Sequence, residues 1–247
     1  MKTFVSYKEA GDIIARAIKP LTSQEVDLLS ALNCVLAQDV VSQIDLPVCD
    51  NSAMDGYAVR HQDIQAANIA DPVKLKIIGS VFAGQTTRVI LKNNQAIRIM
   101  TGAAIPKGAD TVVPVEQTQE KNGLVFIRQT FARGTNARFM GEDIRKDELV
   151  LKKGFLLRSG EIALLAALGY AKLKVIKTPQ VAILATGDEL VGLNEKLRPG
   201  KIRNSNSYSL AAAVMESQAK PVLLGIAKDD FQALKAKIKQ GLAYDML

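Results

Sequence analysis

The chain has 247 residues, 48% of them hydrophobic, and a formal net charge of +7. That length points to two or more domains, and with no Trp and 5% aromatics their cores must be aliphatic. Two cysteines and one histidine cannot build the common Cys/His zinc sites or a secreted disulfide framework. In chain order, Ser6-x-x-Glu9 reads as a capping box. It opens a helix with Ala10, Ile13, Ile14, Ala17 and Ile18 on one face, and Pro20 stops it. Thr22-x-x-Glu25 predicts a second helix, with Val26, Leu28, Leu29 and Leu32 apolar. Residues 35–44 are extended and lead to Leu46-Pro47.

From about Asn51 to Phe139 the texture is β-rich. Short apolar runs at 73–78, 96–100, 111–115 and 124–127 alternate with glycines and the hairpin signal Asn122-Gly123. A small barrel or sandwich is expected there. Ser159 is expected to cap a helix through Ile162, Leu164, Leu165 and Leu168, with Gly169 as its C-terminal cap and 172–177 extended. The β module thus reads as an insertion into a mostly separate domain. From Pro179 a β-α-β-α pattern follows: a strand at 181–185, a helix at 204–218, a strand at 222–227, and a helix through Leu234, Ile238 and Leu242. A parallel sheet rarely consists of two strands. The sheet is therefore expected to be completed elsewhere or the chain to be truncated, with truncation favoured.

Ligands of open α/β sheets bind beyond the carboxyl ends of the strands. Thr186-Gly187-Asp188-Glu189 and Asp229-Asp230 occupy those positions. Helix capping alone would explain Asp229 and Asp230, and a loop or helix start would explain Asp188 and Glu189. Two acidic loops on one sheet edge strengthen a ligand role, and their oxygens suit Mg²⁺ bridging to phosphates. Gly200 to Asn206, which includes Asn204, is a basic, polar entry to a helix, suited to phosphate or to ordinary capping.

The cluster Asp50-Asn51-Ser52-Ala53-Met54-Asp55-Gly56-Tyr57-Ala58 interleaves polar groups with Met, Tyr and Ala. A simple turn does not need those apolar residues, and the mixture suggests a polar loop held rigid by packing. Thr101-Gly102 follows a strand and can be a tight turn or an oxyanion contact. Arg138, Glu142, Asp143 and Arg145 form a mixed-charge loop whose ordinary reading is a solvated ion-pair surface. His61 reads as a surface residue. The basic excess suits an anionic partner. With Lys and Arg spread along the chain and few aromatics for stacking, a small phosphorylated or oxyanionic ligand fits better than nucleic acid. Met1-Lys2-Thr3-Phe4 lacks a signal-peptide core and no apolar run reaches membrane-spanning length. A soluble, cytoplasmic protein with no membrane partner is expected.

Leu46-Pro47-x-x-Asp50-Asn51-Ser52-Ala53-Met54-Asp55-Gly56-Tyr57-Ala58-Val59-Arg60 resembles the signature of molybdopterin molybdenumtransferase, the MoeA and gephyrin E-domain family. Arg98 to Ala103, Gly141-Glu142-Asp143-Ile144, Thr186 to Leu190 and Asp229-Asp230 resemble further motifs of that family, in the same order. The resemblance covers essentially the whole chain. It implies a multidomain α+β protein: a β-rich, barrel-like module inserted in a linking domain, then a truncated α/β (MoaB/MogA-like) parallel-sheet domain. The implied layout is an N-terminal helix (1–21) near the α/β domain, a linking domain (22–46 and 141–178), the β module (47–140) and a partial α/β molybdopterin-binding domain (179–247).

The implied activity is molybdenum cofactor biosynthesis. Molybdenum from molybdate is inserted into adenylylated molybdopterin with release of AMP, assisted by Mg²⁺. A homodimer is implied, with the site between the α/β domain of one subunit and the β module of the other, and molybdopterin adenylyltransferase as a partner. The implied catalytic residues are Asp55, Thr101, Asp143, Glu189 and Asp229, with Glu189 and Asp229 placing the metal and Thr101 holding an oxyanion. Ser52, Gly102, Thr186, Gly187, Asp188 and Asn204 are the implied cofactor-binding residues. Family members continue with a Gly-rich loop and a C-terminal β domain that this chain lacks, so it resembles about the first three-fifths of such an enzyme. The alternative is a catalytically incomplete dimerisation or scaffold fragment.

Overall fold

The computed structural model describes residues 4–247. Met1-Lys2-Thr3 of the reading against a signal peptide lies outside the described residues. In chain order the elements are α1 (Tyr7–Ala17), β1 (Ser23–Asp27), β2 (Val40–Val41), β3 (Asn51–Ser52), β4 (Gly56–Val59), β5 (Val73–Val81), β6 (Gln95–Ile99), β7 (Thr111–Pro114), β8 (Thr118–Lys121), β9 (Leu124–Ile127), β10 (Ala137–Arg138), β11 (Leu149–Leu151), α2 (Ser159–Ala167), β12 (Lys172–Ile176), β13 (Gln180–Thr186), β14 (Leu190–Val191), β15 (Ile202–Arg203), α3 (Asn206–Glu216), β16 (Lys220–Ala227) and α4 (Phe231–Gly241). They divide into two compact units. One is Val40–Leu151, and the other joins the segment ending at Asp39 to Lys152–Leu247.

The Val40–Leu151 unit is built on one six-stranded sheet in the order β7-β4-β6-β5-β9-β8. All its pairs are antiparallel except β5 with β6. Every residue of β4 is buried. Period-two alternation sends Tyr57 and Val59 to one face with Leu75, Val113 and Ile127. It sends Ala58 to the other with Val81, Ile97, Ile99 and Val112. Among the described residues β7 and β8 do not pair, so the expected barrel or sandwich is a single sheet open between its margins. At the β7 margin the Val112 N–H donates to the Thr135 carbonyl at 3.0 Å, and Asn136 Nδ2 donates to the Val112 carbonyl at 3.0 Å. At the β8 margin Gln119, Glu120 and Lys121 are exposed. Asn122 and Gly123 adopt φ of 53° and 75°, the geometry of the tight hairpin turn their dipeptide predicts.

Gly56 is fixed by space. A Cβ there would lie 2.9 Å from the Val113 carbonyl carbon and 3.1 Å from Pro114 Cα, and closer still to the Val113 oxygen. β4 therefore approaches β7 where only glycine fits. Two short pairings, β2 with β11 and β3 with β10, complete the unit.

In the other unit the predicted helix from Thr22 is a strand. β1 pairs antiparallel with β12, setting Glu25 opposite Lys174 and Asp27 opposite Lys172. Cross-strand charge complementarity and the alternating Leu173 and Val175 outweigh a local capping pattern. Only Leu28–Ala31 turns helically, as one 3₁₀ segment. α2 is not capped by Ser159, which is its first helical residue. The Arg158 N–H instead donates to Glu161 Oε2 at 2.9 Å. Gly169 does end α2, with φ of 83° and the Tyr170 N–H reaching the Leu165 carbonyl at 2.9 Å.

β13 and β16 pair in parallel, and Met246 bridges β13 in the same sense. α3 and α4 both pack on these two strands. α1 has its capping box, with Ser6 and Glu9 bonded reciprocally, but no buried residue; Ile13, Ile14 and Ile18 stay exposed. No helix among the described residues is long and apolar enough to cross a membrane.

Candidate functional site

The sequence-predicted residues fall into two clusters, one on each unit. In the Val40–Leu151 unit, the Asn51–Ser52 strand is held from both sides. The Gly102 N–H donates to the Ser52 carbonyl at 2.8 Å, and the Ser52 N–H to the Ala103 carbonyl at 3.0 Å. On the other side Ala137 pairs with Ser52 and Arg138 with Asn51. Ser52 is buried, and its Oγ donates to the Met54 carbonyl at 2.5 Å. This hydroxyl is the rivet of the loop. Packing by Tyr57 and Ala58 then fixes the segment as the mixed sequence suggests.

The loop presents Asp55. Its Oδ1 accepts both the Thr101 N–H and the Thr101 Oγ1–H, each at 2.7 Å. The backbone donor first, the hydroxyl second and the Arg98 charge last hold the Asp55 carboxyl below the usual carboxylate range. Asp55 is thus an oriented, ionised carboxylate whose Oδ1 takes both bonds, chemically suited to a cation and a poor base near neutrality. Thr101 is therefore not the expected oxyanion donor, because its proton is committed to Asp55.

Asp143 is held differently. The Arg138 guanidinium donates from Nε to Glu142 Oε1 at 2.7 Å and from a terminal nitrogen to Asp143 Oδ2. Glu142 also accepts the Phe139 N–H at 2.8 Å, and its carboxyl is lowered chiefly by Arg138 and then by that bond. Because Arg138 lies on β10, this clamp ties Asp143 to the strand paired with the Asn51–Ser52 strand. The loop read as a solvated ion-pair surface is an organised part of the cluster. In the sheet that follows the Asp55 loop, the buried Tyr57 donates its hydroxyl to Glu120 Oε2 at 2.5 Å. Burial, with the Glu120 charge, pushes that phenol up to about 12. His61 is half-buried rather than a surface residue, and its Nδ1 has no hydrogen-bond partner. Its backbone N–H donates to Asp110 Oδ1 at 2.6 Å and its carbonyl accepts the Ile64 N–H at 3.1 Å, but neither orients the ring, so no base-and-orienter pair exists there.

In the other unit, β13 and β16 deliver the two acidic loops side by side. The Gly187 N–H donates to the Ala227 carbonyl at 3.3 Å, and the Asp229 N–H to Asp188 Oδ1 at 3.4 Å. Gly187 has φ of 140°, and a Cβ there would lie 2.7 Å from Glu189 Oε1, so the Glu189 carboxylate folds over this glycine. The Lys201 ammonium donates to the Asp188 carbonyl at 2.5 Å, a tie the sequence did not signal. Asp230 is the N-cap of α4, bonded to the Ala233 N–H at 2.8 Å. Capping therefore accounts for Asp230 and leaves Asp229 available.

Asn204 is buried, and both ends of its amide are used within the chain. It donates to Ser207 Oγ at 2.9 Å and accepts the Ser207 N–H at 3.2 Å. A cleft of ≈ 360 Å³ opens beside these residues, lined by Thr186, Leu190, Arg203, Asn204, Ser205 and Asn206. A cleft of ≈ 470 Å³ on the Val40–Leu151 unit, beside Asp110 and Phe139, is lined by Asp50 of the motif but by neither Asp55 nor Thr101. Among the described residues no three His, Cys, Asp or Glu side chains converge as a metal cage. The donor set fits Mg²⁺ only in its common shared form, held by one or two carboxylates and by substrate phosphates.

Residues 5–169 match the family model described as the MoeA N-terminal region (domain I and II), and residues 182–247 match a probable molybdopterin binding domain. The chain belongs to the MoeA family. It is 41% identical over 242 residues to a molybdopterin molybdenumtransferase of a Nostoc species, covering 96% of this chain and 56% of that protein. It is 38% identical over 238 residues to the Staphylococcus aureus protein of the same name, covering 96% of this chain and 57% of that one. A crystal structure of a MoeA protein from Pyrococcus horikoshii superposes with a TM-score of 0.90 at 34% identity, over 98% of this chain and 64% of that one. This MoeA-family chain therefore spans a little over half the length of the curated relatives it matches. Its mixed α and β architecture is that of its structural relatives.

Proposed function

We propose that this chain contributes to molybdenum cofactor biosynthesis, in the insertion of molybdenum from molybdate into adenylylated molybdopterin with release of AMP. The observation that carries the reading is the Asp55–Thr101 pair: a family-motif carboxylate fixed by two donors and ionised. A group poised in that way serves to hold and orient a cationic or metal-bearing ligand and not to abstract a proton. Asp143, set by Arg138, is the second oriented carboxylate on that unit.

Asp188, Glu189 and Asp229 form the corresponding acidic edge of the α/β unit, with Thr186 at the cleft and Gly187 under the Glu189 carboxylate. Glu189 and Asp229 are proposed to share Mg²⁺ with the substrate phosphates. When bound, that ion would neutralise charge on the phosphoanhydride. Ser52, through its backbone and its hydroxyl, and Gly102, through its backbone, shape the loop that carries Asp55. Asn204 orders the start of α3 beside the cleft. The remaining proposals are a cytoplasmic homodimer, molybdopterin adenylyltransferase as the partner that supplies substrate, and a β module inserted in a linking domain.

The test is AMP release and cofactor formation from adenylylated molybdopterin, with molybdate and Mg²⁺ both required. Asp55→Ala and Glu189→Ala should each abolish the stimulated AMP release. Unchanged release in both variants would sink the assignment. A folded chain that binds the adenylylated substrate yet releases no AMP would favour the scaffold role.

A further inference from the structure

The parallel pairing of β13 and β16 contains one irregularity. Ile183 faces Leu223, but Leu184 faces Gly225, so Leu224 is an extra residue in β16. Beyond it the shifted register persists: Thr186 faces Ala227, and Asp188 receives the Asp229 N–H. Without the extra residue Thr186 would face Ile226, and Lys228 would stand where Asp229 does. A one-residue slip also turns each later side chain to the opposite face. Bulges of this kind are found where an adjacent site needs a side chain re-aimed.

Two residues outside the acidic loops hold the irregularity. Gly225 has φ of 82°, yet a Cβ there would meet nothing within 4 Å, so the glycine is required by conformation and not by space. The Leu224 carbonyl accepts the Lys237 ammonium of α4 at 2.6 Å. Leu224 is only 5% exposed, so without that ammonium its carbonyl would lose its partner in a largely dry setting.

We propose that the Leu224 bulge sets the mutual register of the two acidic loops, and that Lys237 is the positioning residue that maintains it. This rests on reading Asp188, Glu189 and Asp229 as ligand-facing groups. Lys237 touches no ligand. It acts through the Leu224 carbonyl, which fixes where β16 ends and hence where Asp229 lies relative to Asp188.

The experiment compares this chain with Lys237→Met, which keeps the aliphatic stem, Lys237→Arg, which keeps a donor, and Gly225→Ala. Residue-resolved amide exchange is measured first. Lys237→Met and Gly225→Ala should speed exchange at Gly187 and Asp229 about tenfold and leave Ala182 and Val222 within about twofold, while Lys237→Arg stays near wild type. Acceleration spread evenly along both strands, or none at Gly187 and Asp229, would overturn the proposal. If Lys237→Met does not fold, Gly225→Ala carries the comparison.

Titration with Mn²⁺, followed by line broadening, tests the underlying reading separately. No broadening at Asp188 or Asp229 in the wild type would remove the ligand role and leave the register result to stand alone. With broadening present, Lys237→Met should need several-fold more Mn²⁺; an unchanged titration would refute a positioning role.

Discussion

Replacing Gly56 with Ala tests how tightly the sheet behind Asp55 is built. The added methyl would sit 2.9 Å from the Val113 carbonyl carbon and 3.1 Å from Pro114 Cα, inside ordinary carbon contact distance and against backbone on both counts. No rotamer change relieves it. β7 must move off β4, where Tyr57 pairs with Val113 and Gly56 with Pro114. Overpacking a core costs about 1–3 kcal/mol. Weakening one or two ladder hydrogen bonds adds about 0.5–1.5 kcal/mol each. The expected loss is therefore about 1.5–6 kcal/mol. Urea unfolding followed by circular dichroism should show the loss in the transition of the Val40–Leu151 unit. Gly79→Ala is the control, because a Cβ there meets nothing within 4 Å. That variant should stay within about 1 kcal/mol of wild type. If Gly56→Ala unfolds within about 1 kcal/mol of the control, the steric argument is wrong.

The other predictions concern single groups. Tyr57→Phe removes the bond to the half-exposed Glu120 and should cost about 1 kcal/mol at neutral pH. Tyr57 holds its proton more tightly folded, at about 12, than unfolded, at about 10. Its contribution is fully present below pH 10 and lost as pH rises to about 12, so the variant's stability should fall less steeply across that window. Asp55 has the opposite sign. Its depressed carboxyl stabilises above the ordinary carboxylate range, and that part is lost as pH falls through the depressed value; acid titrations of wild type and Asp55→Asn should converge as pH falls. Asp230→Ala should cost about 1 kcal/mol in thermal unfolding through the lost α4 cap. Asp229→Ala should leave stability within about 0.5 kcal/mol while weakening ligand binding, and equal destabilisation by the two would contradict their separate roles.

Much of the fold was legible because it rests on local signals. The Ser6–Glu9 box, the Asn122-Gly123 turn and Gly169 each determine a boundary through chemistry contained in a few residues. β1 is not legible locally because its partner lies at 172–176. Nothing in Thr22-x-x-Glu25 reveals that Lys172 and Lys174 will face it. The motif residues of the candidate site could be named from sequence, but their working states could not. Thr101 reads as an oxyanion donor in the sequence, whereas in the structure its proton is committed to Asp55. Arg138 reads as a solvated charge in the sequence, because only the pairing of β10 with β3 sets it opposite Asn51, next to Ser52. Asp229 and Asp230 are adjacent and chemically alike, and only the α4 start separates the cap from the free carboxylate.

The margins of the six-stranded sheet bear on how the molecule meets copies of itself. An open strand edge is a template for intermolecular pairing. Here the outward N–H and C=O of Val112 are both taken, by Thr135 and Asn136, and Pro114 offers no N–H at all. At the opposite margin an incoming strand would meet Glu120 and Lys121 on a strand of only four residues. The unit thus shields a strongly apolar sheet from fibril-like growth with one loop carbonyl, one side-chain amide, one proline and a charged hairpin. Asn136→Ala would strip part of that shield without touching the core, and its signature would be concentration-dependent light scattering on mild heating.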